Sequence, residues 1–432
     1  MSARGSICAR EMCGIVLENK PTGTFYLNFV TLFKRTILYT YVIMSNSVDK
    51  GNKKQKLMLR TEKGCIKKLR GGSKSISNVK QQEIAKSVDI TNATKHFELE
   101  LDKLGPYKCH YYKNGRCLLL GGRKGHVAAF DWLTKDLMCE FNVRETVHAV
   151  QWLHIPTMFA VAQKEWVHIY DKDGIELNVI KTMYRSEHLD FLDLYFLLAS
   201  ASDKGYLSWK DVSIGKDIAS FPTKQKVTSL THNSQNGLLY CSHPNGTVSM
   251  WSPNHNRPAV SMLCHPSSVR GVSVNNDGQY FATVGIDRSI RVWDIRNNFK
   301  CIKKHKLAYV PDRVQFSQLD LLAVSGGSSV NTYSNVCRAG QEIKPHVRHN
   351  LGKVVEDIYF CNYEDVLGVG HLGGFTSLLV PGSGEPNFDS HEANPFMSKT
   401  QQREMEVRML LDKLSHKMIC LDPTELAKPL KK

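Results

Sequence analysis

No GxxxxGK[ST] phosphate loop, GxSxG nucleophile elbow or HExxH helix occurs in the 432 residues. The usual sequence grounds for nucleotide, acyl-transfer or zinc-hydrolase chemistry are therefore missing. Gly121-Gly122-Arg123-Lys124-Gly125 has the composition of a phosphate loop without its order. It leads toward a strand, so no helix N-terminus would receive a phosphate, and it reads as a turn. The 12 cysteines include no CxxC pair. Cys109-His110 and His346…His349 lack a second half at zinc-site spacing, so no metal and no cofactor is expected. Cys117, Cys139, Cys241 and Cys361 lie in or beside apolar runs, as buried free thiols do in a reducing compartment. A long hydrophobic span is lacking too. Phe25–Met44 is apolar, but Lys34 and Arg35 stand at its centre, each costing roughly 2.5–3.5 kcal/mol in a bilayer. A membrane anchor is the weaker reading of that stretch, and it makes a poor signal peptide. Residues 1–43 are expected to be an upstream extension without a structural role.

Acidic residues are scarce in one place. The chain carries +16 overall, yet Lys50–Lys86 alone holds 12 Lys or Arg against Glu62 and Glu83, a net of +10. Everything from Ser87 onward nets only +4. Residues 44–95 thus read as a basic, largely disordered arm with too little apolar surface to fold alone. Lys53, Lys54, Lys56, Lys67, Lys68 and Arg70 are its candidate RNA-binding residues. The competing reading is a solvated linker whose charge aids solubility.

The remainder is organised around Val269–Lys303, in which four short apolar runs are separated by turn residues such as Asn275-Asn276-Asp277-Gly278. Ile290, Val292, Trp293 and Ile295 place apolar groups on both faces, as in a strand stacked between neighbouring sheets. The Trp293-Asp294 pair, with His265 before the unit and Asp287 in its middle turn, resembles a WD-repeat propeller blade. In such a blade His265, Thr283, Asp287 and Trp293 form a buried hydrogen-bonded relay with a structural role. A single blade cannot cover its own faces, so repetition is required. An aromatic recurs at Trp132, Tyr170, Trp209, Trp251, Trp293 and Tyr333, at steps of 38–42 residues. A seventh, degenerate unit follows at Val354–Val380. Glu98–Leu101 alternates like a strand and could close the ring. The fold class expected is therefore all-β, a seven-bladed WD-repeat β-propeller over 96–380, with a basic N-terminal arm and a C-terminal extension.

In that extension, 381–432, Pro381–Asn387 cannot continue a strand. Ser398 with Gln401 makes a capping box, and a helix is expected over about 399–415. Val407, Leu411 and Leu414, with Met418, fall on one stripe. They are candidate partner-binding residues, unless the stripe packs back on the ring itself.

Four stretches carry a more specific resemblance: Leu104–Trp132, Phe159–Asp171 (FAVAQKEWVHIYD), Gly246–Pro253 (GTVSMWSP), and the ending PGSGEPNFDSHEANPF with EVRMLLDKLSHKMICLDP. Over roughly Lys95–Pro429 the chain resembles the nucleolar WD-repeat proteins of the small-subunit processome, the U-three small nucleolar RNA-associated, BING-four-like type. The resemblance implies a non-enzymatic scaffold in pre-ribosomal RNA processing and small-subunit biogenesis, in the nucleus and nucleolus. Its implied partners are other processome proteins, the U-three small nucleolar RNP and precursor RNA, with no membrane and no small-molecule substrate. Residues 1–43 have no counterpart in that family, and relatives often carry a longer basic tail than Lys431-Lys432. The alternatives are a WD-repeat adaptor of another nuclear complex, such as a ubiquitin-ligase receptor or chromatin adaptor, or an enzyme using the central channel. The last would need convergent histidines or carboxylates there.

Overall fold

A computed structural model describes residues 79–88, 90–338, 340–385 and 398–421. The 1–43 extension and the six candidate arm residues lie outside them. Seven antiparallel four-stranded sheets make up the body. Six are consecutive meanders. Blade one spans 107–142, blade two 149–180, blade three 186–222, blade four 229–263, blade five 269–306 and blade six 313–350. Blade seven takes three strands from 355–379 and its fourth from the opposite end of the domain. Strand β1 (Glu98–Glu100) pairs antiparallel with the strand Gly374–Leu379, Leu99 opposite Phe375.

The recurring aromatics explain the stacking. Trp132, Tyr170, Trp209, Trp251, Trp293 and Tyr333 are all buried, each at or next to the third strand of its blade. One apolar cluster runs from Leu192 through Trp209, Trp251 and Phe281 to Trp293, joining blades three, four and five. The third strands are apolar on both sides, in keeping with sheets covered on both faces.

Closure involves more than β1. That strand is three residues long, so part of the blade-seven edge would stay open. Phe97 accepts the Ser377 N–H at 2.9 Å. Further along, the Gln81 amide bonds both polar groups of the Leu379 backbone, accepting its N–H at 2.9 Å and donating to its carbonyl at 3.1 Å. A buried glutamine thus supplies the last rung of the ladder, and every backbone group on that edge that it reaches is satisfied. Gln81 opens helix α1 (Gln81–Ser87), which seats Ile84, 1% exposed, against the ring. Helix α2 (Ile90–Ala93) follows. The end of the expected arm is therefore folded: residues 79–88 and 90–96 belong to the closure, because Val79, Ile84, Ala93 and Phe97 supply the apolar surface that the lysine-rich part lacks. Gly374 shows how tight the seam is, since a Cβ there would stand 2.0 Å from the Leu99 carbonyl oxygen.

Candidate interaction surfaces

The four relay residues of blade five come together. His265 Nδ1 lies 3.1 Å from both Asp287 oxygens, and its Nε2 lies 2.9 Å from Thr283 Oγ1. Trp293 Nε1 donates to the same hydroxyl at 3.0 Å. An ionised carboxylate only accepts, so Nδ1 carries the proton facing Asp287. The neutral ring then presents a bare Nε2, to which Thr283 donates. Burial lowers the His265 pKa, against the pull of Asp287. Burial also opposes ionisation of Asp287, yet hydrogen bonds from Ser289 and His265 keep its carboxyl below the usual range. The relay ties the entry to blade five to its second and third strands. Blade four has a variant, with His243 Nε2 2.6 Å from Ser249 Oγ, which also accepts from Trp251 Nε1 at 2.8 Å.

The first strands of the blades line an axial channel with three adjoining cavities of about 430, 230 and 240 Å³. Histidines and carboxylates do converge there. His232 Nδ1 lies 2.8 Å from Asp190 Oδ1, and burial raises the pKa of Asp357. Burial also drives His110 down to about 4 and His188 well below its ordinary value, so both are neutral at pH 7. The Cys109 thiol is pushed well above its usual range by the same cause. The channel thus offers buried polarity without an activated thiolate. Among the described residues no group of three or more His, Cys, Asp or Glu is arranged to hold a metal. No described helix is long and apolar enough to cross a membrane.

The C-terminal extension binds the ring by a different set of residues from those its pattern singled out. Helix α3 spans Lys399–Leu411 and starts at the capping box: Gln401 Oε1 accepts the Ser398 N–H at 3.0 Å, and Ser398 Oγ accepts the Gln401 N–H at 3.3 Å. It stops at Leu411, four residues short of the expected end. Beyond it the chain is captured by blades three and four. The Leu414 N–H donates to the Leu194 carbonyl at 2.9 Å. Lys413 pairs with the buried Asp211 and donates to Ser213 Oγ at 2.7 Å. Ile419, 1% exposed, sits in the apolar cluster of blades three to five. Its carbonyl accepts from Ser252 Oγ at 2.7 Å and Asn254 Nδ2 at 3.0 Å. Leu414 is partly buried against the same cluster, while Val407 and Leu411 stay exposed, Leu411 at 79%. The three stripe residues are therefore not on one surface. Lys413, Ser252, Asn254 and Ile419 were not singled out by the pattern; the short apolar run Met418-Ile419-Cys420-Leu421 was the local signal for this anchor.

Residues 345–422 match the BING4CT (NUC141) domain, and 257–294 match the WD domain, G-beta repeat. The first match thus runs from the last strand of blade six through blade seven and helix α3 to the Ile419 anchor. Over 377 residues, 87% of the chain, it is 42% identical to human WD repeat-containing protein 46. The Caenorhabditis elegans protein of the same name is 44% identical over 81% of the chain. U3 small nucleolar RNA-associated protein 7 of Saccharomyces cerevisiae is 40% identical, also over 81%. The chain belongs to this WD-repeat family. It spans 62%, 60% and 66% of those relatives' own lengths. Within the BING4CT WD-repeat family, ring and extension are thus matched together, as the anchor at Ile419 requires of one folded unit. A chain in the solved mitotic checkpoint complex aligns with a TM-score of 0.55 at 16% identity, covering 65% of this chain and 92% of that one. That likeness concerns the propeller fold alone.

Proposed function

We propose that the protein is a non-enzymatic scaffold of the small-subunit processome, acting in pre-ribosomal RNA processing and small-subunit biogenesis in the nucleolus. The observation that carries this reading is 40–44% identity, over 81–87% of the chain, to relatives that include a U3 small nucleolar RNA-associated protein. Its partners are other processome proteins, the U3 small nucleolar RNP and precursor RNA. Affinity purification with and without nuclease, with the bound RNA sequenced in parallel, tests it. Processome proteins that stay after nuclease and precursor RNA in the untreated sample are expected; a ubiquitin ligase or chromatin complex in their place would refute it.

Two surfaces carry the scaffold role. The first is the outer side of helix α3, where Val407 and Leu411 stand in solvent beyond an anchored base. A helix held at one end with leucine exposed has the form of a partner's docking ridge. Leu411→Glu is expected to leave the melting temperature unchanged and to remove at least one protein from the purified assembly. Full retention of partners would exclude this role.

The second is the arm. The +10 of Lys50–Lys86 should attract RNA mainly through phosphate, because base readout requires side chains held rigidly against base edges. Each neutralised phosphate of single-stranded RNA contributes roughly −0.7 to the slope of log affinity against log salt. With about half the charges engaged, the slope is expected near −4, shrinking when Lys53, Lys54, Lys56, Lys67, Lys68 and Arg70 become Gln. Shortening the chain to begin at Ser87 would be a poor substitute, since it removes the Gln81 rung. Equal slopes for the two full-length proteins would make the arm a mere linker.

A further inference from the structure

The near-neutral total of the ring conceals an uneven distribution. One face is formed by the turns between second and third strands and by the connections from blade to blade. Between residues 123 and 228, six such segments open on it: 123–125, 143–148, 163–166, 181–185, 203–205 and 223–228. They carry nine Lys or Arg against three carboxylates.

Within this sector three segments are stitched together. The Arg185 N–H donates to the Glu165 carbonyl at 2.7 Å, and the Asp203 N–H donates to the Arg185 carbonyl at 3.0 Å. The stitching holds two solvent-facing rings, Trp166 at 36% and Tyr184 at 44% exposure. Each has cations over it: Lys181 Nζ is 5.5 Å from the Trp166 ring centroid, with Arg185 Cζ and Lys204 Nζ 5.8 and 5.9 Å from that of Tyr184. Among the described residues none of these three cations makes an ion pair with a carboxylate, and the nearby Asp203 is engaged by Lys226 at 2.6 Å. Of the six tryptophans, Trp166 alone is exposed; the other five are buried.

Flat apolar rings in water, interleaved with uncommitted cations on a rigid backbone, fit a polymer of stackable bases linked by phosphates. Stacking tolerates any base, and the cations follow the backbone. We propose that this face of blades two and three is a platform for single-stranded RNA, with Trp166 and Tyr184 each stacking a base and Lys181, Arg185 and Lys204 holding the intervening phosphates. The proposal deepens the reading of the protein as a pre-ribosomal RNA factor, and rests on it for the biological source of the RNA. Double-stranded RNA is a poor fit, because its bases are already stacked on one another.

The test uses the full-length chain with the six arm residues changed to Gln, so that the arm cannot mask the ring. Trp166 fluorescence is followed while a twelve-nucleotide oligouridine or oligoadenine is added. Quenching that saturates is expected. Trp166→Ala with Tyr184→Ala, read by fluorescence anisotropy of labelled RNA, should weaken binding at least tenfold with the salt slope unchanged. Lys181→Gln, Arg185→Gln and Lys204→Gln together should make the slope shallower by about two. Both variants should keep the parent's melting temperature, since all five side chains are exposed. Unchanged affinity in the aromatic variant, or equal quenching by polyglutamate or duplex RNA, would overturn the platform. Retained quenching in a protein that purifies without processome components would leave the platform standing and fault the processome reading instead.

Discussion

Replacing Trp293 by alanine is expected to remove about 3–5 kcal/mol of stability, the range for deleting a large core aromatic. Three losses combine there. The indole is 8% exposed and packs in the cluster that joins blades three to five. Its ring stacks on Phe281, with centroids 6.1 Å apart and planes 13° from parallel. Its N–H donates to the Thr283 hydroxyl, so the cavity also leaves the relay short of a partner. Trp166→Ala is the matched control, being the same change at an exposed site, and it should move the urea midpoint little. Equal midpoints for Trp293→Ala and the parent would contradict the relay's structural role.

Mild acid is expected to destabilise the protein steeply, through histidines that the fold keeps neutral. In blade seven the Gly373 N–H donates to His371 Nδ1 at 3.1 Å, and Nε2 lies 2.9 Å from the Thr376 hydroxyl. Nδ1 is therefore an acceptor, and a proton placed on it would break that bond. Burial, with nearby Lys353 adding to it, lowers His371 to about 4, and burial lowers His110 to the same value. An unfolded histidine titrates near 6.5, so between pH 6.5 and 4 the unfolded chain binds protons that the folded one refuses. The stabilisation is complete above 6.5 and is lost as pH falls toward 4. At pH 5 each such group costs about 2 kcal/mol, since one unit corresponds to about 1.4 kcal/mol. Asp357 and Asp365, raised by burial, act in the opposite direction and offset part of this at the acidic end. The urea midpoint should drop between pH 7.5 and 5, and His371→Asn, whose amide oxygen can replace Nδ1 as acceptor, should flatten the dependence. Identical midpoints at the two pH values would refute the account.

The ring was legible in the sequence because its two signals are local and repeated. The buried aromatic returns every 38–42 residues, and a turn precedes most of its appearances. Even the closing strand could be picked out, since Leu99 alternates with Glu98 and Glu100. What escaped depends on contacts distant in sequence. Nothing around Gln81 announces that its amide will complete a ladder at Leu379. The end of helix α3 was misjudged for a related reason. Heptad-like spacing continues through Leu414, but the backbone there bonds Leu194 instead of the preceding helical turn. Charge was misleading in a third way, because a net count over the whole ring averages its basic sector with the rest.

The seam between Gln81 and Leu379 also sets a clock on biosynthesis. The two residues are 298 positions apart, and chains grow at about 5–20 residues per second. The first half of the seam therefore waits about 15–60 s on the ribosome for the second. Throughout that interval the strand that will close the ring has no partner, and until blade seven is made the six preceding blades form an open arc with an uncovered apolar sheet face at each end. An unpaired strand and an uncovered apolar face both invite association with other chains, so the nascent protein is at its most exposed to chaperones, and to aggregation, just before its last blade is complete.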